Sequence, residues 1–184
     1  FEPAEPFKAH AWAAACRHGL SQAKEKVLLG DGAAWIWEHV GGVLGEDVTH
    51  IVDWYHVTEH VWDCGKALHG EGTEAAKTWV ESIKTLLHDG QVRAVLERLR
   101  EEYNQRRASA PRAALTGLMT YLTNQDDRLA YDRFLARGFD IGSGQVESAC
   151  KNVVAARMKR SGMRWSPRGA QAVLSLRCAW LNHD

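Results

Sequence analysis

Asp31 and Asp53 each close a short apolar run and each stand just before a stretch with helical character. The two contexts are Leu29-Gly30-Asp31-Gly32-Ala33 and Ile51-Val52-Asp53-Trp54-Tyr55-His56. In open α/β sheets, ligands gather outside the carboxyl ends of strands. Two strands that both end in Asp therefore read as a shared carboxylate site. Gly30 and Gly32 would leave the backbone beside Asp31 open to close approach. The plainer reading is that each aspartate caps the helix that follows it, which Asp does well.

A third carboxylate, Glu147, sits in Ile141-Gly142-Ser143-Gly144-Gln145-Val146-Glu147-Ser148-Ala149-Cys150-Lys151. A glycine turn there presents a helix N-terminus, with Glu147 in the first turn. It either offsets the helix dipole or completes a capping arrangement with Gly144 as N-cap. Alternatively it holds a metal. At α-helical spacing Lys151, Val154 and Arg157/Met158 continue its face, so Glu147 would carry the ion while Lys151 and Arg157 hold phosphates. A separate pattern, His56-Val57-Thr58-Glu59-His60, is a literal H-x-x-E-H. That spacing suits two zinc ligands and a general base, as in inverted zinc peptidases. It needs a third ligand from another helix, which the sequence does not identify, and surface or core histidines are the ordinary alternative.

The formal charge is zero, but its distribution is lopsided. Residues 1–90 hold 7 Lys/Arg against 14 Asp/Glu, and residues 91–184 hold 16 against 9. The stretch 148–180 carries Lys151, Arg157, Lys159, Arg160, Arg164, Arg168 and Arg177 with no acidic residue among them. It is either a solvated basic face or a surface for a polyanion.

The elements that must position these groups follow from periodicity and punctuation. Helices are expected over Phe7–Gly19 and Ala33–Leu44, with Trp37, Val40 and Leu44 on one face, and strands over Val27–Gly30 and Val48–Asp53. Helices then follow over Tyr55–Leu68, Glu74–His88, Gln91–Arg107, Pro111–Thr123 and Asp126–Arg137. Gly138–Gly144 reads as a turn in which Gly138, Gly142 and Gly144 permit positive φ. Val146–Arg160 and Pro167–Asn182 are the last two helices, with Gly162 near the first one's C-cap and Pro167 in a tolerated first-turn position. The fold class is α/β and mostly helical. Two strands make no stable sheet alone, so they read as the late strands of a larger α/β sheet. With 184 residues, 45% of them hydrophobic and 25% charged, the chain is one ordinary globular domain by composition. No apolar run reaches the length of a membrane span, and no signal segment is evident. Four scattered cysteines read as reduced thiols in a cytosolic protein.

Taken together, the Asp31, Asp53 and Glu147 blocks and Arg157-Met158-Lys159-Arg160-Ser161-Gly162-Met163-Arg164-Trp165 resemble the C-terminal half of a bacterial insertion-sequence transposase. The resemblance is to the ISKra type, of the DDE class, and runs from about Leu28 to Leu181. It implies a ribonuclease H-like fold, here partial, with its late strands only. It also implies metal-dependent phosphodiester hydrolysis and strand transfer with two Mg²⁺ or Mn²⁺ ions. Asp31 matches the second catalytic Asp and Glu147 the catalytic Glu, both as metal ligands, and Asp53 and His56 are possible accessory residues. Lys151, Arg157, Lys159, Arg160 and Arg164 are then the DNA contacts.

The resemblance further implies a partial catalytic domain over 1–184, with a helical insertion at 74–137 and C-terminal helices at 138–184. The partners implied are insertion-sequence ends, target DNA and further copies of the chain, in a cytoplasmic, nucleoid-associated setting. The first Asp of the class is expected upstream of Phe1, since Glu2 and Glu5 lie in a Pro-flanked segment that does not fit. Two metals need bridging carboxylate charge, so cleavage by this chain alone is expected to be poor. A non-catalytic DNA-binding remnant is the alternative.

Overall fold

The computed structural model describes residues 4–182 apart from Glu46, with side chains described between residues 6 and 181. Helix α1 spans Ala4–Arg17 and strand β1 spans Lys26–Gly30. Helix α2, residues 34–44, winds as a π-helix over Ile36–Gly41 before an α-turn at Gly42–Leu44. Strand β2, Val48–Val52, lies parallel to β1 in the register Lys26↔Val48 through Gly30↔Val52. The β1–α2–β2 unit is thus a parallel crossover, as two strands that each run into a helix require. Strand β2 is buried at Ile51 and Val52 alike, so it is covered on both faces. Helix α2 packs closely on the strands. A Cβ at Gly41 would meet the His50 ring at 3.1 Å, and one at Gly30 would meet Ile36 at 3.1 Å.

Four helices follow: α3 (Trp54–His69), α4 (Glu74–His88), α5 (Val92–Gln105) and α6 (Ser109–Asn124). Short connections force consecutive helices to run antiparallel. Each packs on the next, and α6 returns onto α3 to close a four-helix arrangement. Its interior is Val57, Val61, Val80, Ile83, Leu87, Val95, Leu99, Leu115 and Leu122, all fully buried. These positions recur at three-, four- or seven-residue spacing along each helix. Each such side chain contributes about 1.5–3 kcal/mol by leaving water. The cluster is continuous with Ile51, Val52 and Trp37, so the helices of 74–137 share one core with α3 and the strands. Thr73 caps α4 by accepting from the Ala76 N–H at 3.1 Å.

A 3₁₀ turn at Asp126–Arg128 and helix α7, Tyr131–Ala136, lead to the loop 137–143. Tyr131 is buried and donates its hydroxyl to the Val52 carbonyl at 2.9 Å, which fixes α7 against the end of β2. Helix α8, residues 144–158, begins at Gly144 and winds as a π-helix over Cys150–Ala155. Helix α9 is Pro167–Asn182. The buried core cluster ends at Phe134. Within α8 and α9 the described residue that is buried is Ala170.

Two expectations about the loop are corrected. Gly138 does take a positive φ of 78°, but Gly142 and Gly144 do not. Gly142 is small for a different reason, since a Cβ there would lie 2.8 Å from the Tyr55 ring. Ser143, not Gly144, is the residue that flanks the start of α8.

Candidate functional site

Asp53 is the best-connected carboxylate of the strand ends. It follows β2 directly and is only 5% exposed. Its Oδ1 accepts from the Tyr55 N–H at 2.8 Å, so the capping role for α3 holds. Its Oδ2 accepts from the Ser143 N–H at 3.3 Å and from the Ser143 hydroxyl. The Trp54 N–H donates to the Ile141 carbonyl at 2.8 Å beside it. A buried carboxylate must be hydrogen-bonded or neutralised. Here the bonds come from its own helix and from a loop 90 residues away in sequence. Asp53 thereby fixes where the chain enters α8. Ser143 lies inside the glycine turn that the sequence singles out, and its hydroxyl is the signal that reading overlooked.

Asp31 follows β1 next to Asp53, since Gly30 pairs with Val52 and the Asp53 N–H donates to the Gly30 carbonyl at 2.7 Å. Asp31 is exposed and accepts from the Ala33 N–H at 2.9 Å, a cap on the entry to α2. On the Cβ side of its flanking glycines the space that the sequence reading left open is filled by protein. A Cβ at Gly32 would meet Gln125 Nε2 and the Tyr121 hydroxyl, both at 3.3 Å, and Gly30 faces Ile36 and Trp37. Helix α6 has closed over the turn. Gln125 donates to the Gly32 carbonyl at 2.9 Å and accepts from Arg128 at 3.0 Å, while the Arg128 guanidinium lies 4.7 Å from the Trp37 ring centre.

Tyr121 and Gln125 carry no sequence signature. Tertiary packing alone brings α6 to the strand ends. The Tyr121 hydroxyl is buried with no hydrogen-bond partner among the described residues. Burial raises its pKa first, and the negative charges of Asp31 and then Asp53 raise it further. It stays a neutral phenol.

Glu147 lies on the exposed first turn of α8, and its N–H donates to the Ser143 carbonyl at 3.0 Å. Asp53, through Ser143, therefore positions the start of the helix that carries Glu147. The continuous face drawn through Glu147, Lys151, Val154 and Arg157/Met158 is corrected by the winding of α8. A π-helix bonds i to i+5, so positions beyond Cys150–Ala155 lag the α-helical face by about one residue. Lys151, Arg157, Lys159, Arg160 and Arg164 are all exposed, and no ion pair engages them among the described residues. Arg177 differs from them. Its guanidinium donates to the carbonyls of Asn152 at 2.7 Å and Val153 at 3.1 Å, binding α9 to the π-wound part of α8.

His56 and His60 share a face of α3 with ring centres 5.4 Å apart. Their surroundings are those of packed side chains. His56 Nδ1 lies 3.4 Å from Glu59, and the His60 ring lies against Tyr121 with centres 4.0 Å apart. Burial and then His56 lower the His60 pKa, against Asp63 and Glu59. No group of three His, Cys, Asp or Glu side chains gathers as a metal site among the described residues. Glu2 lies outside the described residues, as does the side chain of Glu5. A two-ion centre needs bridging carboxylates and several oxygen ligands. Asp53 already accepts from three protein donors, whereas Asp31 is exposed and accepts at Oδ1 from the Ala33 N–H, so Asp31 keeps acceptor capacity that Asp53 does not.

Comparison with known proteins gives one finding. Residues 17–183 match the family described as "Uncharacterised protein family (UPF0236)". The chain belongs to that family. No curated protein matches the chain, and no solved structure does. No helix among the described residues is long and apolar enough to cross a membrane.

Proposed function

We propose that this chain is a DNA-binding domain of the transposase kind that binds without cutting DNA on its own. The observation that carries this reading is the cationic surface of α8 and the turn after it. Lys151, Arg157, Lys159, Arg160 and Arg164 all face solvent there, in a stretch without a carboxylate from 148 to 180. An unpaired cationic surface of this size favours a polyanion, and phosphate contacts release counterions. The contacts go to phosphates, not to base edges, and hold insertion-sequence ends or target DNA in a nucleoid setting. The resemblance of the strand-end and Glu147 blocks to a DDE transposase supports the class of partner.

The test is duplex binding followed by fluorescence anisotropy across a salt series. Five phosphate contacts give a log–log salt slope of about −4.5. Arg160→Gln and Arg164→Gln should each flatten it by about one unit and weaken unrelated duplexes alike. Sequence-selective loss, or binding that ignores salt, would count against the reading.

A second reading, metal-dependent cleavage, draws on one specific arrangement. Asp31 and Asp53 end adjacent strands, and Asp53 holds the residue from which the Glu147 helix starts. In that reading Mg²⁺ or Mn²⁺ binds Asp31 and Glu147, with Asp53 and His56 accessory, in an assembly of several copies on DNA. Mg²⁺-dependent nicking that is lost in both Asp31→Ala and Glu147→Ala would establish it in place of the first.

A further inference from the structure

Helices α8 and α9 leave large apolar side chains uncovered in the midst of the cationic surface. Trp180 is 80% exposed, Leu176 73% and Trp165 40%. They do not stand singly. Trp165, Trp180, Met163 and Leu176 line one groove of about 540 Å³, with Arg157 and Arg177 on its wall. Arg177 is held in place there by its two backbone acceptors on α8. Trp165 also borders a second groove next to Lys159 and Pro167. Isolated apolar residues on a surface need no explanation, but a clustered patch with a charged rim marks a binding site.

Charge decides which occupant fits. A second copy docking this face on itself would bring Arg157, Lys159, Arg160, Arg164 and Arg168 against the same cations, with no carboxylate in 148–180 to answer them. A polyanion meets the rim favourably. Duplex DNA, however, hides the faces of its bases and offers nothing to two exposed indoles. A single strand offers both, since its phosphates suit the arginines and its unstacked bases suit flat aromatic rings.

We propose that this groove binds the unstacked bases of single-stranded DNA, with Trp165 and Trp180 as stacking faces and Arg157, Arg160 and Arg164 on the phosphates. The proposal rests on the DNA-binding reading above and narrows its substrate to a strand whose bases are free. Binding is sequence-tolerant, because every base has a face to stack.

The test titrates the 184-residue chain into three labelled probes at one salt concentration. These are a thymidine oligomer, an abasic oligomer of equal length and charge, and a duplex. The thymidine oligomer should bind about 10- to 100-fold more tightly than the abasic one. Trp180→Ala, at a side chain too exposed to hold the fold, should remove most of that advantage and leave duplex binding and the thermal melt unchanged. Trp165→Phe should keep most of it, because a ring remains. Equal affinity for the thymidine and abasic oligomers would overturn this proposal and leave the DNA-binding reading standing. Binding to none of the three probes would overturn both. If Trp180→Ala instead turns a sedimenting dimer into a monomer while oligomer binding stays as it was, the groove belongs to a second copy and the proposal fails.

Discussion

The Asp53 carboxylate stays buried while accepting from Tyr55 and twice from Ser143. Hydrogen bonds to a charged group contribute about 1.5–3 kcal/mol each, and a lost helix cap costs about 1 kcal/mol. Asp53→Ala should therefore destabilise the protein by about 2–4 kcal/mol, read as a lower denaturation midpoint. Ser143→Ala, which removes one donor, should cost less. If the two variants melt together with the parent, the carboxylate is not what holds the entry to α8. His60 makes a second prediction at this scale. Its pKa is lowered from 6.5, by burial first and then by His56. The folded protein thus binds fewer protons at this ring than the unfolded chain, and stability rises with pH across the window between the two values. The contribution is complete above the unfolded pKa of 6.5 and is lost as pH falls below it toward the depressed folded value. Replacing His60 with Gln should flatten the decline in melting temperature between about pH 7.5 and 5.5. An unchanged pH profile in that variant would assign the decline to other groups, His50 foremost, whose pKa is also lowered, by burial and then by Arg128.

Among the elements, the contact of α3 with α4 depends on a missing side chain. A Cβ at Gly65 would lie 2.6 Å from Val80 Cγ2 and 3.3 Å from the Trp79 ring, both buried. Gly65→Ala should cost about 1–3 kcal/mol by overpacking. Gly117, exposed on α6 with nothing within 4 Å of a Cβ, should do the reverse. Gly117→Ala should gain about 0.5–1 kcal/mol by restricting the unfolded chain. Chemical denaturation of the pair checks the two signs together. The contrast also shows what the sequence can and cannot disclose. Helix α4 spans the expected Glu74–His88, α9 starts at Pro167, and β1 and β2 stand within a residue of expectation, because local propensity and packing agree there. The π-winding of α8 was not legible, since Cys150–Ala155 also reads as ordinary α-helix. Nor was the filling of the Asp31 turn by Tyr121 and Gln125, a contact 93 residues apart that only the tertiary fold creates. At the candidate site, then, the carboxylates on the strand ends could be found by spacing, whereas their partners could not.

Across the whole molecule, stability is unevenly shared between the bundle and the basic C-terminal helices. One buried cluster runs from Trp37 through α3–α6 to Phe134 and takes in β2. Residues 144–182 add to the buried set only Ala170 among those described, and the start of α8 is joined to the bundle by the bonds of Ser143 to Asp53 and of Trp54 to Ile141 in the loop before it. Regions with few buried apolar contacts open locally at lower free energy than the core. Backbone amides of α8 and α9 should therefore exchange with deuterium well before those of α3–α6. Limited trypsin digestion should cut first at Lys159, Arg160 or Arg164, all in an exposed turn that offers the protease an accessible backbone. The α3–α6 bundle should survive that cut as one resistant piece, since its helices close on one another without help from α9. DNA held by the same cations should slow both the exchange and the cleavage, because a ligand that binds only the closed form stabilises it by mass action. Equal protection of α8–α9 and α3–α6 in the free protein would mean that the C-terminal helices fold cooperatively with the bundle, and that their exposed indoles are not the mark of a loosely attached binding arm.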